Sequence, residues 1–115
     1  MPTEFTKKVL MLIKNIPKGK VSTYGRIAKL AGNPKAARQV SWILHSSSKK
    51  YNLPWHRVIN SRGEISIKSV ESKELQKRLL ENEMIEINSE FKIDLNKYHW
   101  DLQSIEEINT NKKGR

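Results

Sequence analysis

Near the start of the chain, apolar residues recur at helical spacing. Phe5, Val9, Leu12 and Ile13 stand three and four apart, which predicts an amphipathic helix. Thr3 stands where an N-cap is needed, Glu4 complements the helix dipole, and Pro17 ends the run. After the turn Pro17-Lys18-Gly19-Lys20, Val21 reads as a buried anchor, and Ser22 or Thr23 as the cap of a second helix from Tyr24 to Leu30. Ala31-Gly32 closes that helix. Asn33 then caps a third, with Pro34 at its first position, where a missing N–H costs nothing. Val40, Ile43 and Leu44 form its core face, while Lys35, Arg38, Gln39 and Trp42 fall on another. Two short helices about a tight turn predict a helix-turn-helix whose second helix is offered to DNA, although a plain helical hairpin has the same periodicity.

The second half is more mixed. A polar loop, Ser46-Ser47-Ser48-Lys49-Lys50, leads to Leu53–Asn60, a turn at Ser61-Arg62-Gly63 and a short strand, Glu64–Ile67. A fourth helix is expected from Ser72 to Asn82, with Leu75, Leu79 and Leu80 inward. Ile85–Ile87 and Phe91–Leu95 pair as a final ribbon closed by Tyr98 and Trp100. Residues 104–115 are polar and end in Lys-Lys-Gly-Arg, so a disordered tail is expected after a single domain spanning 1–103. The pattern predicts a mostly α fold with short β hairpins.

A chain of 115 residues that is 37% hydrophobic can build one modest core, which excludes a large multi-substrate enzyme. The longest apolar run, Val9–Ile13, is far too short to cross a bilayer, and Lys7, Lys8 and Lys14 bracket it too tightly for a signal peptide. A soluble cytoplasmic protein is expected, nucleoid-associated in a bacterium or nuclear in a eukaryote, with no membrane partner. The absence of cysteine excludes a disulfide scaffold, a thiolate zinc site and a thiol nucleophile. His45, His56 and His99 have no paired spacing, so neither a metal nor a cofactor is expected. Charge is more telling. Residues 1–63 carry 13 Lys/Arg against one acid, Glu4, whereas residues 64–115 carry 9 against 11 Asp/Glu. A basic excess confined to one half points to a polyanion, nucleic acid ahead of acidic lipid.

Two stretches carry finer information. One is Ile16-Pro17-Lys18-Gly19-Lys20-Val21-Ser22-Thr23-Tyr24-Gly25-Arg26-Ile27-Ala28, continuing through Ala31-Gly32-Asn33-Pro34-Lys35-Ala36-Ala37-Arg38-Gln39-Val40. The other is Leu53-Pro54-Trp55-His56-Arg57-Val58-Ile59. In this order and spacing they resemble the C-terminal domain of the O6-alkylguanine-DNA alkyltransferases, over about residues 4 to 84. The resemblance implies a winged-helix-like, helix-turn-helix fold. Repair-competent members carry a cysteine between that proline and histidine, and it accepts the alkyl group. Here Trp55 holds the position and no cysteine exists elsewhere, so alkyl transfer to sulfur is impossible. The pattern is similar to that of the alkyltransferase-like proteins, which bind alkylated guanine without repairing it.

By this resemblance Arg38 enters the base stack as a nucleotide turns out, a task suited to a flat cation; a phosphate contact is its plainer role. Ala36 and Ala37 thin the helix surface for close approach to a groove, and Lys35, Gln39 and Ser41 complete the DNA-facing set. Tyr24 corresponds to the residue that pushes the target phosphate. Trp55, preceded by Pro54, supplies an apolar wall for a flipped alkylated purine, or else simply packs in the core. His56, Arg57 and Glu83 match positions that support the thiolate in active members, leaving here a structural polar network under the pocket. Lys68 falls at the pocket mouth, where plain solvent exposure is the alternative, and Ser47 stands where the family usually has asparagine. The implied partners are double-stranded DNA containing O6-alkylguanine and the damage-recognition proteins of nucleotide excision repair, met by a monomer.

Other classes fit parts of the sequence. A helix-turn-helix regulator without lesion specificity would read bases through Lys35, Gln39 and Trp42. An enzyme with relocated chemistry would use Glu83 or Asp94 and release a base. A basic RNA-binding protein would accept single strands equally.

Overall fold

Thr3 does cap the first helix. In the computed structural model, which describes residues 3–108, its Oγ1 accepts from Thr6 N–H at 3.1 Å, and α1 runs Glu4–Lys14. Thr23 caps the next, α2 (Tyr24–Leu30), by accepting from Arg26 N–H at 3.1 Å. The third helix begins later than expected. Asn33 Oδ1 accepts from Lys35 N–H and its carbonyl from Ala36 N–H, so Asn33 and Pro34 form a turn that competes with the helix. As a result α3 spans Ala37–Ser47, and Lys35 precedes it.

The expected hairpins give way to a different arrangement. The only sheet among the described residues is a two-stranded parallel pair, β1 (Ser22–Thr23) and β2 (Val58–Ile59), with Ser22 opposite Val58 and Thr23 opposite Ile59. Parallel strands need a crossover, and α2 with α3 provides it. A 3-10 turn, Trp55–Arg57, feeds directly into β2. The expected strand Glu64–Ile67 and the ribbon after Ile85 shrink to isolated antiparallel bridges, Glu64 with Lys92 and Ile87 with Ile93. The chain between them turns tightly, Phe91 taking φ 61° while Asn88 Oδ1 collects two backbone N–H groups.

Two apolar clusters meet at the sheet. One joins Val9, Leu12 and Ile13 of α1 to Ile27 of α2, Val40 and Leu44 of α3, and Val58. The other gathers Val21, Ile59, Ile65, Leu80, Ile85, Ile93 and Tyr98. Val58 and Ile59 are neighbours pointing to opposite faces, as a strand requires, so β2 is the seam between the cores. The last residue of α5 (Leu95–Tyr98) and the segment after it bond Val21 on both sides: its N–H donates to Tyr98 O and its carbonyl accepts from Trp100 N–H.

The fourth helix, α4, runs Val70–Glu81, starting two residues early because Ser69 Oγ accepts from Ser72 N–H. Its buried stripe is also corrected. Leu75, expected inward, is 40% exposed, while Gln76 is only 3% exposed and Leu80 fully buried. The chain is packed beyond the expected boundary at 103: Ile105 is half-buried and Ile108 sits in the first core. The rest of the expected tail, 109–115, lies outside the described residues.

Candidate nucleic-acid interface

Helix α3 turns Val40, Ile43 and Leu44 into the core. At about 100° per residue, the opposite side of the cylinder carries Arg38, Trp42 and His45, all exposed. Trp42 is 71% exposed, an unusual placement for so large an apolar surface. Gln39 and Ser41 are exposed on the flanks, as expected of DNA-facing residues, and Lys35 is exposed in the preceding turn. Ala37 is half-buried. Ala36 is a correction: it is buried in the first core and offers nothing to a groove.

Beside this helix lies a cavity of about 250 Å³. Tyr24, Ser41, Leu44, His45 and Ser48 form the side contributed by α2, α3 and the loop that follows, and Trp55, Ile67, Ser72 and Gln76 the other. Burial raises the Tyr24 phenol above its ordinary value, with the Ser41 side chain pulling it partly back. The group is therefore a neutral hydrogen-bonding hydroxyl at physiological pH. Trp55 packs partly on the first core and meets the His56 ring edge-on, at 85° between planes.

Behind Trp55, and outside the cavity lining, Glu83 organises a polar cluster. Arg57 Nε and Nη2 donate to its carboxylate at 3.0 and 2.8 Å, and Gly19 N–H donates at 3.0 Å. His56 Nε2 approaches Oε2 at 2.7 Å; a carboxylate only accepts, so that nitrogen carries the proton. Arg57 Nη1 donates further to Ile16 O at 2.9 Å. Burial alone would raise the Glu83 pKa, but the Arg57, Gly19 and His56 donors outweigh it and bring it down to about 2. The cluster therefore ties the turn before β1, the 3-10 turn and the end of α4 into one unit.

The structure thus splits the expected pocket set. Trp55 lines the cavity together with Tyr24 and Ser41, whereas Pro54, His56, Arg57 and Glu83 flank or support it from behind. Lys68 is exposed next to Ile67 and is not part of the lining. Ser47 ends α3, and its neighbour Ser48 faces the cavity instead. His45, Ile67, Ser72 and Gln76 were not singled out by the sequence. A signal did exist for two of them: Ser72, Gln76 and Leu80 stand four apart, a helical stripe concealed by two polar members.

Fold and site together define a basic helix-turn-helix domain with a cavity closed by tryptophan and no thiol. Residues 4–85 match the model of the 6-O-methylguanine DNA methyltransferase DNA binding domain, and the chain belongs to that family as a cysteine-free member. It is similar to the DNA base-flipping protein of Vibrio parahaemolyticus, 48% identical over 97 residues, covering 84% of this chain and 96% of that one. Alkyltransferase-like protein 1 of Schizosaccharomyces pombe is 45% identical over 102 residues, covering 84% and 94%. The crystal structure of S. pombe Atl1 in complex with damaged DNA containing O6-carboxymethylguanine superposes with a TM-score of 0.79 at 42% identity, over 89% of this chain and all of that one. With no cysteine, this chain offers no thiol to accept an alkyl group.

Proposed function

We propose that this protein recognises O6-alkylguanine in duplex DNA by turning the base into the cavity beside Trp55, without altering it. The observation that carries the reading is Trp55 itself. An apolar ring forms the wall of a purine-sized cavity next to the exposed face of α3, in a chain with no sulfur acceptor. Relatives named for base flipping, and one bound to DNA containing O6-carboxymethylguanine, support it.

In this mechanism the basic first half docks on phosphates, α3 approaches the duplex, and Arg38 occupies the gap left by the displaced nucleotide. Damaged bases cost less to unstack, which contributes selectivity. Tyr24 and Ser41 meet the entering nucleotide, and exposed Lys68, next to Ile67 of the lining, contacts its backbone. The protein acts as a monomer, and the persistent distorted complex is a flag read by nucleotide excision repair. Substituting Arg38→Ala tests the stacking role in a binding assay on lesion and normal duplexes. Lesion preference should fall about tenfold or more, with a smaller loss on normal DNA. Equal losses on both would reduce Arg38 to a phosphate contact and favour a helix-turn-helix regulator indifferent to alkylation.

A further inference from the structure

We infer that Trp42 is a second wedge on the duplex, its indole entering the groove beside Arg38 and opening a base step near the displaced nucleotide. The assignment rests on the function proposed above, in which α3 is the helix that meets DNA. The three tryptophans of the chain are placed differently. Trp55 and Trp100 pack partly against the first core, whereas Trp42 joins neither core and is 71% exposed. No other ring and no cationic side chain among the described residues covers it. Its apolar surface leaves water only when a partner arrives.

The rest of the exposed surface of α3 says what kind of partner that is. Lys35, Arg38, Gln39 and His45 are exposed on this helix and the turn before it, and no carboxylate occurs between Glu4 and Glu64. An apolar ring set among cations fits a polyanion that also offers flat apolar surface, as bases between phosphates do. Four residues of α-helix advance the axis by about 6 Å and turn it by about 400°. Trp42 thus projects within about 40° of Arg38, one turn further along. Stacked bases are about 3.4 Å apart, so the indole meets the duplex about two base steps from the gap that Arg38 fills.

Indole is uncharged and has a single N–H donor, so a phosphate satisfies little of it. Its favourable contacts are with deoxyribose and base faces, and base faces become available once a step is partly unstacked. An apolar side chain inserted in this way kinks the duplex, and a kinked duplex gives up a neighbouring nucleotide at lower cost. The two residues then divide the work. Trp42 bends the duplex whichever base is present, Arg38 fills the gap when a base leaves, and the cavity chooses the base. Trp42 therefore contributes to affinity and bend on lesion and normal DNA alike, and little to the ratio between them.

The test titrates wild type, Trp42→Ala, Trp42→Phe and Trp42→Lys onto duplexes carrying guanine or O6-methylguanine at one position. Salt is held fixed, and energy transfer between dyes on the duplex ends reports the bend. Trp42 belongs to neither core, so all the variants should melt as wild type does. Alanine should weaken binding about tenfold on both duplexes and reduce the bend, while phenylalanine should stay within about threefold of wild type. Lysine supplies a phosphate contact without a ring, and should leave the bend reduced. On a duplex already kinked by an unpaired bulge, the loss with alanine should shrink to about threefold or less, because the step is open beforehand. Alanine that binds and bends DNA as wild type does, lysine that restores the bend, or an undiminished loss on the bulged duplex overturns the wedge. Failure of wild type to prefer O6-methylguanine over guanine would instead overturn the lesion reading, and the bend of the normal duplex would still decide the role of Trp42.

Discussion

Glu83 shows how one side chain can hold a site without lining it. Its carboxylate receives Gly19 and the adjacent His56 and Arg57, partners from two parts of the chain far from it in sequence. Glu83→Gln would leave the Arg57 and His56 donors facing a weaker acceptor, so a loss of about 2 kcal/mol at pH 7 is expected in urea melts. The pH dependence follows from its depressed pKa. A carboxyl lowered from 4.5 to about 2 contributes stability that is fully present above its unfolded value and lost as pH falls through the folded one. The gap between wild type and Glu83→Gln should therefore close between about pH 4.5 and 2. A gap independent of pH would show that the carboxylate charge is not what holds the cluster. The grouping of His56, Arg57 and Glu83 was legible in the sequence through family resemblance, while spacing alone places Glu83 more than 25 residues from its partners. Gln76 was not legible, because nothing in a polar residue between Leu75 and Lys77 says that its amide will be buried.

Helix starts and stops follow side-chain caps, and those are largely written in the sequence. Thr3 and Thr23 cap where expected, and apolar spacing marks the buried faces of α1 and α3. Expectation failed where a local hydrogen bond competed, as at Asn33, or where long-range pairing decided the outcome. Strands of two residues have too little periodicity to read, and a parallel pair 36 residues apart in register is invisible to local patterns. The inward stripe of α4 runs through Gln76 and Leu80, while apolar Leu75 turns outward, an order that hydrophobicity alone does not predict. Past the end of that helix, Met84 holds φ 70° at 84% exposure, while Ile85 N–H reaches back to Leu80 O. A left-handed residue at a helix C-terminus favours glycine. Met84→Gly should thus raise stability by about 0.5–1 kcal/mol, seen as a higher melting temperature. At Gly63, φ 79° combines with a space already filled, since an added Cβ would lie 2.7 Å from Ile93 O. Gly63→Ala should therefore lower the melting temperature, and a neutral result at Gly63 would mean that the turn relaxes freely.

Across the whole molecule, the basic half builds α1, the helix-turn-helix and the turn bearing Trp55, so the elements that carry the exposed face of α3 also carry the basic excess. Docking through phosphates makes affinity steeply dependent on salt. With about five cations engaged, binding should weaken by on the order of 10²–10³-fold between about 50 and 200 mM salt. The ratio between damaged and normal duplex should stay nearly constant over that range, since the base contacts are not ionic. A ratio that collapses with salt would place the discrimination in charge instead of in the cavity. The central claim is met most directly by competition binding at one fixed salt concentration, using duplexes that differ by a single O6-methylguanine, followed by nucleoside analysis of the bound DNA. Tighter binding to the lesion duplex, with the O6-methylguanine recovered intact, is the predicted result. Equal binding of the two duplexes, or disappearance of the lesion, would contradict it.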